Sequence, residues 1–354
     1  MYLVYLLILI MCFILIYLRF TRRSNAFFIL LWAILFVLLG TFAYFTDDYY
    51  AYVDTIDEAY INPLAQFHIE PIWIWLSEVV RGDIDEFRFI TFFIISILLY
   101  LIIRSAKVDL KYFFVYYTFF CLNDTLCWVR QPVAMCFSLC GILFMCNKRY
   151  ILSVIFLFLS CFLHKIGIIC LLILPACLFS INKKLIWIYI LSIPLMCIFF
   201  YLILNASSEF STVVSMQHYA QGDGEFASRH IIFKLFSIVS ILFQFFFLIY
   251  TVYRFHENED KYVKILVRYI LIVLVVSIFL FALPLSTGVF VKRLLYFGLM
   301  MMAIVWAKCI QKNLLLKKNV IMFILLLMYI SLQLTVTLAQ NYTRIGERLL
   351  RMPW

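Results

Sequence analysis

The chain is predicted to be an all-α, polytopic membrane bundle of about twelve spanning helices, and three observations lead there. Apolar residues fill 66% of its 354 positions and charged residues only 14%, where a soluble domain carries about a quarter charged. Mean hydropathy is +1.05. The apolar residues are gathered into runs of a length that crosses about 30 Å of hydrocarbon as helix. No Gly/Ser/Pro-rich linker or low-complexity stretch divides the runs, so residues 1–354 are read as a single transmembrane domain.

The first run, 2–18, carries its positive charges behind it at Arg19, Arg22 and Arg23. A cleavable leader carries them in front and ends in a small-residue cleavage site, so this run is expected to stay as the first span. Further spans are expected near 26–44, 89–103, 112–122, 132–146, 150–163, 166–180, 185–204, 230–250, 269–285, 294–307 and 319–338. The loops holding Arg19, Arg104, Lys148, Lys183, Arg254 and Lys308 then carry 18 of the 29 basic residues and four of the 19 acidic ones. The positive-inside rule makes that face cytoplasmic. Runs 150–163 and 166–180 are short enough to be one helix centred on His164 instead. That reading moves ten of the basic residues outside and brings seven in, so charge favours two spans by a narrow margin. The formal charge of +10 therefore belongs to topology and does not indicate nucleic acid. Nearly all of the eleven cysteines, such as Cys136, Cys140, Cys161, Cys170 and Cys177, fall inside apolar runs and read as small buried hydrophobes without zinc-site spacing.

The opposite face has two expected loops, 45–88 and 205–229. The first holds ten carboxylates, opposed by Arg81 and Arg88, with aromatic residues between them. Carboxylates beside aromatic rings suit a sugar. An interfacial aromatic belt accounts equally well for Trp73 and Trp75. Residues 71–80 are expected to lie flat in the interface. Arg344, Arg348 and Arg351 share one helical face with apolar neighbours, as in an amphipathic helix on lipid headgroups.

Five sparse polar clusters point to this same face: Asp47 to Tyr52, Glu70-Pro71, Arg130-Gln131, His164-Lys165, and Lys292-Arg293-Leu294-Leu295-Tyr296. A charge at bilayer depth costs about 2.5–3.5 kcal/mol on insertion scales, which marks Arg130 as functional unless it snorkels from a span end. Its planar fork matches phosphate oxygens two at a time.

In their order and spacing these clusters resemble the EpsG family, a branch of the Wzy-type polymerases of bacterial surface polysaccharide. The resemblance lies in Asp48 with Tyr52, Glu70-Pro71, Arg130-Gln131, Phe162-Leu163-His164 and Arg293-Leu294-x-Tyr296, and is strongest over residues 44–170. Ile72 stands where the family has glycine, and Pro132 and Lys165 are also departures. The resemblance implies a GT-C-like architecture and an inverting glycosyltransferase in the bacterial cytoplasmic membrane. Its substrate would be undecaprenyl-pyrophosphate-linked oligosaccharide, joined outside the cytoplasmic leaflet, with a chain-length regulator as a further partner. Gln131, Tyr52 and Tyr296 are then substrate-binding residues.

That chemistry makes demands of its own. A departing lipid pyrophosphate needs fixed cations in a low-dielectric site, for which Arg130 and Arg293 are the candidates, supplemented by Lys165 and Lys292. The acceptor hydroxyl needs a base, either His164, Asp48 or Glu70. No cofactor or metal is required, although Asp47-Asp48 offers a divalent ion a pair of carboxylates. Competing readings are a flippase or other transporter with charges inside its bundle, a ligase sharing the pyrophosphate chemistry, a membrane acyltransferase, and an accessory scaffold.

Overall fold

The computed structural model describes residues 2–17, 22–44, 46, 49–62, 70–164, 166–178, 231–282, 288–309 and 324–333, and all regular structure among them is helical. In chain order the helices are α1 (Tyr2–Tyr17), α2 (Arg22–Thr41), α3 (Tyr49–Ile61), α4 (Pro71–Val79), α5 (Ile84–Ala106), α6 (Leu110–Phe120), α7 (Leu122–Cys127), α8 (Arg130–Cys146), α9 (Tyr150–Leu163), α10 (Ile166–Leu178), α11 (Ile231–Phe255), α12 (Lys261–Ala282), α13 (Gly288–Cys309) and α14 (Ile324–Gln333). Each expected span falls on one of them except 185–204, which lies outside the described residues. So do the expected loop 205–229 and the tail with Arg344, Arg348 and Arg351.

Ile84–Ala106 and Ile238–Phe255 are each long and apolar enough to cross a membrane, and several other apolar helices are shorter. The outward faces show what surrounds the bundle. Along α5, Phe89, Phe93, Ile97 and Tyr100 form an exposed stripe, while Phe92, Ile95, Leu99 and Ile102 are buried. On α9 the exposed stripe is Ile151, Val154, Phe158 and Phe162, and the serines Ser153 and Ser160 face inward. A helix on a water-soluble core has the reverse pattern. Apolar ridges outside and hydroxyls inside are the arrangement of a helix in lipid.

Several helices begin before their apolar run. α5 starts at Ile84 rather than 89, because the Asp83 carboxylate accepts the N–H groups of Asp85 (2.8 Å) and Glu86 (3.0 Å). Asp260 does the same for α12 through Tyr262 (2.9 Å) and Val263 (3.2 Å). Hydropathy locates the oily part of a helix, whereas the cap decides where the backbone starts to coil. The hydrophilic segment 45–88 is itself largely helical: α3 packs on α4 and on the start of α5. α4 opens with Pro71 at its first position, buries Trp73, Leu76 and Ser77, and exposes Ile72, Trp75 and Val79. This is the two-faced helix that an in-plane reading requires.

Small residues make the α8–α9 seam. The Ser160 hydroxyl donates to the Ala134 carbonyl (2.9 Å) and lies 2.5 Å from the Ser138 hydroxyl, and Ser153 donates to the Gly141 carbonyl (2.7 Å). On a continuous helix Ser160 and Gly167 would be separated by a rise of about 10 Å. Instead a Cβ on Gly167 would lie 2.3 Å from the Ser160 carbonyl oxygen. The chain therefore reverses at His164, and α10 returns along α9, α8 and α12. Two helices, not one, occupy 150–180. At the centre, α13 is buried from Leu294 to Ala307, with Trp306 edge-on to Tyr116, Phe120 and Phe247.

The two ends differ as the charge count requires. At one end Asn147 donates to the Ser105 carbonyl (2.9 Å), Lys308 to the Ala106 carbonyl (3.0 Å), and Lys261 to the Cys146 carbonyl (3.1 Å). Lys308 also pairs with Asp260 at 2.9 Å. The described cysteines are free. The other end gathers the sparse polar clusters.

Candidate active site

The site is built around a broken helix. α6 passes through Cys121 into the single turn and a half of α7, whose last N–H, from Trp128, reaches the Asp124 carbonyl at 3.0 Å. Trp128 then leaves helical geometry at φ −104°, ψ 78°. Its break leaves carbonyls at the end of α7 without a following turn, and Arg88 of α5 answers one of them. Its Nη2 donates to the Leu126 carbonyl (2.9 Å) and its Nε to the Gly40 carbonyl at the end of α2 (2.7 Å). Arg88 is fully buried, its guanidinium 5.3 Å from the Tyr49 ring centre and 5.4 Å from that of Phe92. Two helix C-termini, each with partial negative charge, offset its own. Gly40 lets α5 close on α2, since a Cβ there would fall 2.2 Å from the Phe92 ring. From sequence Arg88 counted only as a base opposing loop carboxylates; its place amid Phe87, Phe89 and Ile90 was the available signal.

α8 restarts at Arg130. Pro132 in its first turn removes an N–H that has no acceptor there in any case. Arg130 Nη1 lies 3.0 Å from Glu70 Oε2, with side chains 18% and 13% exposed, so the pair is shielded yet reachable. Glu70 is the N-cap residue of α4 but its carboxylate does not cap that helix; it is given to Arg130. The same guanidinium lies 5.6 Å from the centre of the Tyr52 ring on α3. α3 is held by Tyr49, which with Tyr44 donates to the Asp85 carboxylate at 3.1 and 2.8 Å. Burial, and then the neighbouring carboxylate, push both phenols above their ordinary range, so they remain donors.

Gln131 joins α8 to the start of α13, its Nε2 donating to the Arg293 carbonyl (3.2 Å). Trp128 presents its ring to two cations, Lys292 Nζ at 5.2 Å and the Arg293 guanidinium at 5.9 Å from its centre. Lys292 is also 3.5 Å from Asp124. Tyr296 is wholly buried: its ring meets Trp128 edge-on at 5.8 Å and its hydroxyl lies 2.6 Å from Thr125. It supports the indole from beneath.

His164 closes α9 in extended conformation. The Trp73 indole of α4 donates to the adjacent Leu163 carbonyl (2.6 Å), which links the Glu70 helix to the His164 turn. His164 Nδ1 accepts the Ile166 N–H at 3.1 Å, so the ring caps the return of the chain into α10. An accepting Nδ1 in a neutral imidazole places the proton on Nε2. Asp48 and Lys165 lie outside the described residues. The structure thus brings Arg130, Glu70, Gln131, Tyr52, Lys292 and Arg293 to one end of the bundle, across elements far apart in the chain.

Comparison with known proteins agrees with the motif reading. The EpsG family model matches residues 25–346. No curated protein and no solved structure gives a match. With nine-tenths of its length inside that family model and an all-helical, lipid-faced bundle around the shared motifs, the chain belongs to the EpsG family of Wzy-type polysaccharide polymerase-like membrane proteins.

Proposed function

We propose that this protein joins undecaprenyl-pyrophosphate-linked oligosaccharide repeat units into a surface polysaccharide at the outer face of the bacterial cytoplasmic membrane. The observation that carries the reading is the convergence of Arg130, Lys292 and Arg293 on Glu70 and Trp128. With Asp124 and Glu70 beside them, these three cations set guanidinium and ammonium donors at one end of an apolar bundle, a chemistry suited to an anion. A polyprenyl pyrophosphate is such an anion, and an apolar bundle accommodates its chain.

In this reading the acceptor hydroxyl attacks the anomeric carbon, the bond to pyrophosphate breaks with inversion, and the hydroxyl proton passes to a carboxylate. Arg130 turns from Glu70 to the developing charge on the leaving group, which frees Glu70 to take that proton. Fixed donors at a developing anion are typically worth about 3–4 kcal/mol each. His164, protonated on Nε2, acts as a donor to substrate rather than as the base; Asp48 remains the other candidate base. Tyr52 and Trp128 offer faces to sugar rings, and Gln131 keeps α8 and α13 in register.

Deleting the protein and weighing the lipid-linked glycans by mass spectrometry tests the function. Single repeat units accumulating on carrier at the outer face support it, and trapping on the cytoplasmic side supports a flippase instead. Arg130→Lys is expected to abolish polymer while the protein is made and inserted normally, because an ammonium cannot hold two oxygens in a plane. Normal-length polymer from that variant would remove Arg130 from the chemistry.

A further inference from the structure

Behind the site runs a seam of buried polar side chains that the chemistry above does not use. Gln333 donates to Ser240 (2.7 Å) and to the Tyr329 hydroxyl (3.0 Å), and Gln244 donates to that hydroxyl as well (3.2 Å). Gln244 Nε2 is also 3.5 Å from Asp124 Oδ2, at the limit of a hydrogen bond. Asp124 Oδ1 faces Lys292 Nζ, again at 3.5 Å. Asp124 is therefore a carboxylate only 2% exposed, inside an oily bundle, with one long hydrogen bond and one loose ion pair. Such a group contributes little to folding: well-packed apolar replacements of buried ion pairs are often neutral or stabilising. Its position suggests another use. Asp124 sits one turn before Trp128, and the Lys292 ammonium lies between the carboxylate of the one and the ring of the other. The next residue, Arg293, brings a second cation to the same indole. Without a counter-charge at 124, two like charges would crowd one ring in a low dielectric, and the ammonium would swing out to headgroups.

We propose that Asp124 is a positioning residue that holds the Lys292 ammonium on the Trp128 face, where it shares the substrate pyrophosphate with Arg293 and Arg130. The proposal rests on the pyrophosphate reading above and deepens it.

Binding of polyprenyl pyrophosphate to the full-length protein in lipid nanodiscs separates the two. Wild type should bind it, Asp124→Asn about tenfold or more weakly, as expected for loss of one charge-assisted contact, and Asp124→Glu nearly as wild type. The exchanged pair, Asp124→Lys with Lys292→Asp, restores an ion pair across the same helices but moves the cation away from the ring. It should fold and still bind weakly. Binding by the exchanged pair at wild-type strength would reduce Asp124 to a strut and overturn the proposal, as would undiminished binding by Asp124→Asn. If Asp124→Asn does not fold, Asp124→Glu and the exchanged pair give the same decision. A wild type that binds no polyprenyl pyrophosphate would instead sink the functional reading itself.

Discussion

For His164, the part proposed above follows from a single hydrogen bond. The Ile166 N–H occupies Nδ1, so a neutral ring offers a proton at Nε2 and not a lone pair. His164→Asn keeps an acceptor for that N–H and removes the outer donor. It should fold as wild type yet make at least tenfold less polymer, measured on glycan ladders against expression level. Wild-type ladders would leave His164 as a cap alone. His164→Ala loses the cap as well and should cost about 1 kcal/mol of stability besides. Arg88 makes the complementary case: a fully buried arginine whose charge is offset by helix ends, and whose contacts hold the break that aims Arg130.

Among the elements, the α9–α10 hairpin places His164 at the site end, and it depends on absent side-chain volume at one position. A methyl on Gly167 would press on the Ser160 carbonyl, a backbone atom that cannot turn aside. Gly167→Ala should therefore destabilise the fold by about 1–3 kcal/mol, the cost typical of an overpacked core, and melt earlier than wild type in detergent. A variant with unchanged melting would mean that α10 does not lie on α9. The hydrogen bond from the Tyr269 hydroxyl to the Cys170 carbonyl then ties the returning helix to α12. Helix starts follow capping carboxylates and not hydropathy, as Asp83 and Asp260 show.

Across the whole molecule, a clamp at the basic end opposes the site at the other. Burial works against the Asp260 carboxylate, but the hydrogen bond from Lys308 and the two N–H groups of α12 outweigh it and hold its pKa below the usual range. A depressed carboxylate contributes stability that is present above its unfolded pKa and is lost as pH falls through the folded one. Asp260→Asn should therefore melt earlier than wild type at neutral pH, and the two curves should converge on acidification below the ordinary carboxylate range. A gap that persists in acid would assign the effect to packing. Membrane character, the order of the described helices and the meeting of basic loops near Ala106, Cys146 and Asp260 were legible in the sequence, because each depends on local composition. The residues of the site were legible as types, since a charge in an oily run stands out wherever it falls. Their pairing was not: Arg130 with Glu70, Lys292 with Asp124, and Gln131 with the Arg293 carbonyl span 60, 168 and 162 positions. For the run through His164, hydropathy is the same for a straight helix and a folded one, so only the narrow margin of the charge count pointed to the two helices that the structure shows. By itself the sequence determined what is dissolved in lipid and which groups resist it. Which of those groups meet was decided only by tertiary packing, because contacts between helices depend on small residues, caps and breaks that carry no hydropathic signal.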